Sequence, residues 1–204
     1  MSEALKNRQP WPMKWIVLAI VVVVVPYTII TLRYRKPGPA FEPYEDIKAK
    51  ANASRLLSAG YRRIPIVAER PAEGVRIAGG AAIATATGGL PADLRATLVE
   101  PLLLPLEISA VVAASAASAA QPYAIQITCT LPDDRQQLGG ADFYVRGNTI
   151  VITPTFEHVA GGLETRTRTS AVLLTIPPDT LRPGNYSVTL VAERASRVWP
   201  LEVR

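Results

Sequence analysis

The sequence predicts a mainly β protein, with one membrane-spanning helix near the N-terminus, a short amphipathic helix and then an antiparallel β-sandwich. Three observations lead to this prediction. Residues 15–32 contain no charged side chain, residues 44–60 carry helix start and stop signals, and the last third of the 204-residue chain has short alternating segments separated by turns. The chain accordingly divides into a basic tail at 1–14, the membrane helix at 15–33, a linker with the short helix at 34–62, and the sandwich at 63–204.

The apolar segment has the length and the flanks of a membrane-spanning helix. Its 18 residues, at about 1.5 Å per residue, cover roughly 27 Å, which is close to the hydrocarbon thickness of a bilayer. Pro26 removes one backbone donor, which membrane helices tolerate. Rings at headgroup depth and cations that reach lipid phosphates are expected at Trp11, Lys14, Trp15, Arg33, Tyr34, Arg35 and Lys36. Membrane lipid is therefore one predicted partner.

A cleaved signal peptide and a buried core helix are the alternatives to an uncleaved anchor. A signal peptide normally has a shorter apolar core and a small-residue cleavage site, whereas this segment ends in RYRK. A core helix would need more protein around it than about 170 mostly strand-like residues provide. We therefore expect a single-pass protein of the inner (cytoplasmic) membrane.

The cations that flank the apolar segment are balanced across it. Three precede it and three follow at once, and two further lysines slightly favour a cytoplasmic C-terminal domain. On the other side, a short basic tail before one apolar segment is the usual layout of a signal anchor that exports the rest of the chain. We expect the C-terminal domain to be periplasmic.

The segment YEDIKAKANASRLLSAG predicts the short amphipathic helix. Glu45 and Asp46 lie in its first turn, where carboxylates complement the helix dipole, and Gly60 is placed as a C-terminal cap. Three roles fit this helix: it can lie on the membrane, pack on its own domain or contact a partner protein. Its apolar stripe contains the predicted partner-contact residues, Ile47, Leu56 and Leu57.

Short strands are predicted for the last third of the chain. In YAIQITCT the apolar Ile125, Ile127 and Cys129 alternate with polar residues. The stretch ADFYVRGNTIVITPTF contains two strand-like runs around a tight turn at residues 146–148. Several such strands without a long helix between them favour an antiparallel sandwich.

The sequence contains no catalytic or metal-binding signature. Cys129 and His158 are its only cysteine and histidine, and no serine occupies a G-x-S-x-G elbow. The formal charge of +5 is partly next to the apolar segment, and aromatic residues do not interleave with basic ones, which argues against nucleic acid as a partner. We expect no enzymatic activity, no cofactor and no metal.

The C-terminal segment LRPGNYSVTLVAERASRVWPLEV resembles the final hairpin of immunoglobulin-like domains in bacterial envelope proteins. In those domains an L-x-P-G-x-Y turn leads into the next-to-last strand, and Leu181, Pro183, Gly184 and Tyr186 fill that pattern here. Together with the N-terminal anchor, this hairpin makes the chain similar to the FixH-like family of anchored, exported β-sandwich proteins. Members of that family are associated with the maturation of respiratory heme-copper oxidases, so the resemblance implies an immunoglobulin-like sandwich and a membrane complex as partner.

Two functions from different classes fit these observations. The first is a non-enzymatic accessory or assembly subunit of a bacterial membrane protein complex, which the resemblance implies to be related to a respiratory oxidase. The second is a tethered envelope module that binds a ligand or polymer. Such a module needs exposed aromatic side chains, and the candidates are Tyr123, Phe143, Tyr144 and Trp199.

Overall fold

The computed structural model describes residues 12–34, 43–70, 77, 79–133, 135–159 and 168–204. The chain separates into two compact units, Met1–Pro43 and Tyr44–Arg204. Helix α1 belongs to the first unit. The second unit is a β-rich domain that includes two shorter helices.

Helix α1, Met13–Tyr34, is continuous through Pro26. Inside it, the hydroxyl groups of Thr28 and Thr31 donate hydrogen bonds to backbone carbonyl oxygens four residues earlier, at 2.7 and 2.5 Å. The hydroxyl groups of these two threonines are thus satisfied within the helix, as a lipid environment requires. Its first 21 residues are long and apolar enough to cross a bilayer, and the most apolar 18 of them have a mean hydropathy of 2.6 and are not buried. The prediction of one N-terminal apolar helix is confirmed.

The domain is mainly strand. Its elements are α2 (Pro43–Ser58), β1 (Arg62–Glu69), β2 (Ala84–Thr87), α3 (Ala92–Thr97), β3 (Glu107–Ala113), β4 (Ala116–Ala117), β5 (Tyr123–Thr130), β6 (Gln136–Arg146), β7 (Thr149–His158), β8 (Thr169–Ile176), β9 (Gly184–Leu190) and β10 (Ala195–Val203). The prediction of a mainly β protein is therefore confirmed.

The strands form one mixed sheet in the order β2-β10-β9-β7-β6-β1-β8-β5-β3, with β4 also paired to β10. Most neighbours are antiparallel, but β7 runs parallel to β9, and β4 runs parallel to β10. The β7–β9 pair is parallel because the chain leaves β7, forms β8 between β1 and β5, and only then returns beside β7. The expectation of a wholly antiparallel sheet is therefore wrong at these two pairs.

The sheet is curled into a half-barrel. Strand β1 connects its two parts, since residues 62–67 pair with β6 whereas Ala68 and Glu69 pair with β8. Strand β4 follows closely on β3 and pairs with β10, which brings the two ends of the strand order near each other. The described strands form one curled sheet, and the immunoglobulin-like arrangement stays a prediction.

Gly140 permits a close approach of β1 to β6 where the sheet bends. A Cβ atom at this position would collide with the backbone carbonyl oxygen of Ile66, which cannot move aside unless β1 shifts as well. In its pairing with β7, β6 also has an irregularity between Leu138 and Gly140. Irregularities of this kind increase the local twist of a sheet, which agrees with the curl at this position.

The main core lies on the inward side of the curled sheet. Along β5, Tyr123, Ile125, Ile127 and Cys129 are buried in it, and the residues between them are only half-buried. The predicted alternation of this strand is confirmed. The predicted tight turn between β6 and β7 is confirmed as well, and Gly147 at that turn has a φ of 56°.

A second, smaller cluster lies on the outer face of the sheet. It joins Leu56 of α2 and Leu94 of α3 to Tyr144 of β6 and Val151 of β7. Because successive side chains of a strand point to opposite faces, Tyr144 lies outside while its neighbour Phe143 lies in the main core. Both short helices therefore belong to the outer layer of the domain.

Candidate membrane-anchoring and partner-binding surfaces

Helix α1 carries predicted interface residues at its two ends. Lys14 and Trp15 lie in its first turn and Arg33 lies in its last, and all three are exposed, Trp15 at 57%. Tyr34 is the last residue of the helix. Trp11, Arg35 and Lys36 lie outside the described residues. Rings and cations at both ends of a long apolar helix match the two headgroup layers of a bilayer.

One face of α2 is docked on the domain. Leu56 is only 3% exposed and belongs to the outer cluster. The Asn52 side-chain oxygen accepts a hydrogen bond from the backbone N–H of Val99 at 2.8 Å, and Lys48 forms an ion pair with Glu100. Leu56 is therefore covered by its own domain and is not exposed to a partner. Packing in the outer cluster removes its apolar surface from water, which is favourable.

The opposite face of α2 remains exposed. Ile47 is 65% exposed and Leu57 is 71% exposed, and Lys50 and Ser54 between them are exposed as well. Of the three predicted contact residues, the structure thus leaves two available on the surface. Adjacent leucines on one helix have opposite environments because each residue turns the helix by about 100°.

An ion pair with one buried partner lies on the outer face of the sheet. The Nη2 of Arg63 is 2.8 Å from Oδ2 of Asp142, whose side chain is 5% exposed, while that of Arg63 is 49% exposed. The Tyr144 hydroxyl lies 3.4 Å from the same oxygen, and the Thr153 hydroxyl donates to the Asp142 carbonyl oxygen at 3.5 Å. The buried carboxylate is thus compensated by one cation and a nearby hydroxyl.

The protonation states in this cluster suit a structural role. The hydrogen bond to Asp142 raises the pKa of Arg63, and burial raises the pKa of Tyr144 to about 12. Arg63 therefore stays cationic and Tyr144 stays neutral at physiological pH, as a buried ion pair with a structural role requires. Sequence reasoning missed this cluster, although a carboxylate in the apolar run ADFYV was a usable signal.

A second polar contact joins the β6–β7 turn to the outer layer. The guanidinium carbon of Arg146 lies 4.5 Å from the centre of the Tyr61 ring, and its Nη2 lies 2.7 Å from Oδ2 of Asp93. Burial raises the pKa of Tyr61, which keeps the ring neutral under the cation. These contacts connect the tip of the hairpin to α3.

The four aromatic side chains considered for a ligand platform are buried. Phe143, Tyr144, Tyr123 and Trp199 are exposed by 1, 2, 5 and 1% respectively. The Trp199 Nε1–H donates to the Tyr123 hydroxyl at 3.2 Å, and that hydroxyl donates to the Ala114 carbonyl oxygen at 2.7 Å. Their polar atoms are therefore used inside the domain, as expected for packed aromatic residues.

Grooves lie on the described surface of the domain, and the charged side chains that line two of them, Arg204 and Glu157, are exposed. One of about 510 Å³ lies beside Ser118, Tyr123 and Arg204. One of about 190 Å³ lies between Leu102, Leu103 and the β7 residues Thr153 and Phe156. Gln136 lines it too, and its buried Oε1 has no hydrogen-bond partner among the described residues. Within that same part of the chain, no group of three or more His, Cys, Asp or Glu side chains is placed to hold a metal ion.

Comparison with known proteins finds no family model, no curated protein and no solved structure that matches this chain.

Proposed function

We propose that this chain is a non-enzymatic accessory or assembly subunit of a bacterial membrane protein complex, held in the inner membrane by α1 with its domain in the periplasm. The observation that carries the proposal is α1, an apolar helix long enough to cross a bilayer and exposed along its described length. The 15 large hydrophobic side chains that are exposed along α1 are too costly to leave in water. Insertion into lipid accounts for them.

The states of the interior polar groups favour binding over catalysis. Burial raises the pKa of the Cys129 thiol to about 11 and that of the Tyr144 hydroxyl to about 12. A nucleophile or general base needs a pKa near the working pH and access to substrate. Cys129 is fully buried and Tyr144 nearly so. Both groups therefore suit packing roles.

The ends of the sheet are suitable for a protein partner. Strands β2 and β3 stand at the two ends of the strand order, and end strands are common docking positions for an added strand of another protein. On β3 the carbonyl oxygens of Ile108 and Ala113 already accept hydrogen bonds from Arg197 and Ala81, so we propose the segment between them for the partner. On β3, Val112 is 41% exposed. We place the first contact of the partner there.

The resemblance to the FixH-like family makes a respiratory heme-copper oxidase the first complex to test, and we propose the immunoglobulin-like assignment with it. The Tyr186 hydroxyl donates to the Arg182 carbonyl oxygen at 2.9 Å. A tyrosine bonded to backbone a few residues upstream is a recurring feature of immunoglobulin-like domains. The antiparallel β9–β10 hairpin also supports this assignment.

Co-purification in mild detergent, followed by mass spectrometry, tests the proposal. Three forms are compared with the full chain: one whose residues 15–32 are replaced by an unrelated anchor, Val112→Lys, and Val67→Lys as the matched control. Val67 is an exposed strand valine away from the sheet ends, 80% accessible on β1. We expect the full chain, the anchor swap and Val67→Lys to recover the same membrane complex, and Val112→Lys to lose it.

The other results have distinct meanings. Loss of the complex on swapping the anchor would make α1 the docking element and overturn the contact at β3. Failure of every form to recover a protein would overturn the accessory role. It would favour the tethered ligand-binding module, although the four aromatic residues considered for its platform are buried.

Fusion of a reporter after Arg204 tests the orientation. Alkaline phosphatase, which is active only after export, should be active in this position, and a fluorescent protein that folds only in the cytoplasm should be dark. The reverse pattern would place the domain in the cytoplasm.

A further inference from the structure

We propose that the free side of α2 lies on the lipid surface of the membrane, with Ile47 and Leu57 in the interfacial layer and Lys50 at the headgroup phosphates. We call this side the outer stripe of α2 and define it by Ile47, Lys50, Ser54 and Leu57. The seating rests on the proposed role of α1 as an anchor, because the anchor keeps the domain beside the bilayer.

The outer stripe is continuous along the helix. Its members follow the spacing i, i+3, i+7 and i+10, which places them within about 80° of one another on a helix that turns by about 100° per residue. All four are exposed, and the two large apolar members lie at opposite ends. This arrangement gives a narrow apolar line with one cation near its middle.

The side of α2 opposite the outer stripe already contacts the domain. Leu56 is buried in the outer cluster, Asn52 accepts the N–H of Val99, and the Arg55 guanidinium donates to the Ala96 carbonyl oxygen at 3.5 Å. Rotation of the helix about its axis would break these contacts. The outer stripe is therefore held in a fixed direction away from the domain.

The chain itself brings this stripe near lipid. Eight residues separate Tyr34, the end of α1, from Pro43, the start of α2. Even a fully extended segment of this length spans at most roughly 30 Å. The start of α2 is thus within about one bilayer thickness of the end of the proposed anchor.

Charge also favours a lipid surface. Between residues 33 and 58 the sequence has six Lys or Arg and three Asp or Glu, an excess of three positive charges. Cations next to a membrane helix are attracted to anionic headgroups. Basic side chains beside exposed apolar ones are the composition of helices that lie in the membrane interface.

The contact area of the outer stripe is sufficient for lipid and too small for a stable contact with a protein. A stable protein–protein interface buries at least about 1,000 Å² in total, far more than two separate aliphatic side chains contribute. A lipid contact of a tethered domain needs less area, because the tether supplies a high effective concentration of membrane. The Ile47 and Leu57 contact predicted with a partner protein is therefore assigned to lipid.

Depth measurement by spin labelling tests the seating in the full chain, reconstituted in vesicles of phosphatidylethanolamine and phosphatidylglycerol. Nitroxide labels are attached at Ser54→Cys in the stripe, at Ser118→Cys on an exposed loop and at Val21→Cys in α1. The native Cys129 is fully buried and is not labelled under these conditions. Collision with oxygen reports contact with lipid, and collision with a water-soluble nickel chelate reports contact with water.

We expect the ratio of oxygen to nickel collisions at position 54 to exceed that at 118 by at least about twofold, as for a residue in the interfacial layer. The double variant Ile47→Asp, Leu57→Asp should reduce the ratio at 54 to that at 118. The thermal unfolding of the domain should not change, because both side chains are exposed. Val67→Asp, an equally exposed change elsewhere, should leave the ratio at 54 unaltered.

Each other result overturns the seating. A water-exposed label at 54 with a lipid-exposed label at 21 removes the seating and leaves the anchor intact. A water-exposed label at 21 removes both. If the label at position 54 is shielded from the nickel chelate only after membrane proteins are added, the stripe binds a protein.

Discussion

The guanidinium group of Arg63 on β1 lies 2.8 Å from the carboxylate of Asp142 on β6, diagonally across the strand pair. In this register Arg63 is opposite Tyr144, and Pro65 is opposite Asp142. A shift of β6 by one residue would turn Asp142 from the outer face toward the apolar core. The ion pair therefore favours the observed register between the start of β1 and β6.

Replacement of Arg63 should destabilise the domain. Arg63→Gln leaves the Asp142 carboxylate buried without its cation, and we expect the free energy of unfolding to fall by about 1–3 kcal/mol. Because Arg63 is 49% exposed, water partly replaces it, and the lower half of this range is expected. Urea denaturation in mild detergent, followed by circular dichroism, measures the change. Arg182→Gln, at an exposed arginine, is the control, and equal effects of the two changes would show that the pair contributes nothing.

The two adjacent leucines of α2 should differ in their contribution to stability. Leu56→Ala removes a side chain that is 3% exposed in the outer cluster, and large-to-small changes in a core cost about 2–4 kcal/mol. Leu57→Ala, at 71% exposure, should stay within about 0.5 kcal/mol of the parent. The same denaturation experiment compares them. If the two variants are equally stable, α2 is not docked through Leu56.

Glycine should be required at position 140 and not at position 80. A Cβ at 140 would meet the Ile66 carbonyl oxygen, whereas a Cβ at Gly80 would meet nothing within 4 Å. Gly140→Ala should therefore lower the unfolding free energy by about 1–3 kcal/mol, the usual cost of overpacking, and Gly80→Ala should be nearly neutral. Thermal unfolding of both variants gives the comparison. A neutral Gly140→Ala would mean that β1 and β6 do not approach each other as described.

Stability should decrease at alkaline pH. Burial raises the pKa of Cys129 to about 11 from an ordinary value of 9.0, and that of Tyr123 to about 12 from 10.0. Above pH 9 the unfolded chain loses these protons first while the folded chain keeps them, so deprotonation favours the unfolded state. The decrease should begin near pH 9 and continue until the folded-state pKa values are passed.

Cys129→Ala should make this decrease shallower. One group lowers the free energy of unfolding by at most about 1.4 kcal/mol per pH unit, in the range between its unfolded-state and folded-state pKa values. Unfolding free energies measured at intervals from pH 7 to 11 give the slope for parent and variant, and the value at pH 7 separates the packing loss from the proton linkage. An unchanged slope would show that the thiol is not protected by burial.

Local features of this protein follow from neighbouring residues and are therefore visible in the sequence. The apolar run of α1, the alternation along β5 and the turn at Gly147 each depend on residues only a few positions apart. Helical and strand periodicities act over that range. The positions of Lys14, Trp15 and Arg33 at the two ends of α1 follow from the sequence for the same reason, and their role at a membrane interface stays a prediction.

The sequence by itself determined an apolar helix, a mainly β domain and the strands with clear alternation. The tertiary structure alone decided that β7 lies parallel to β9, that β1 pairs with both β6 and β8, and that Asp142 meets Arg63. It also decided which of the leucines 56 and 57 is buried. These outcomes depend on contacts between residues far apart in the chain, where sheet register and the packing of α2 are chosen together, and no local period encodes that choice.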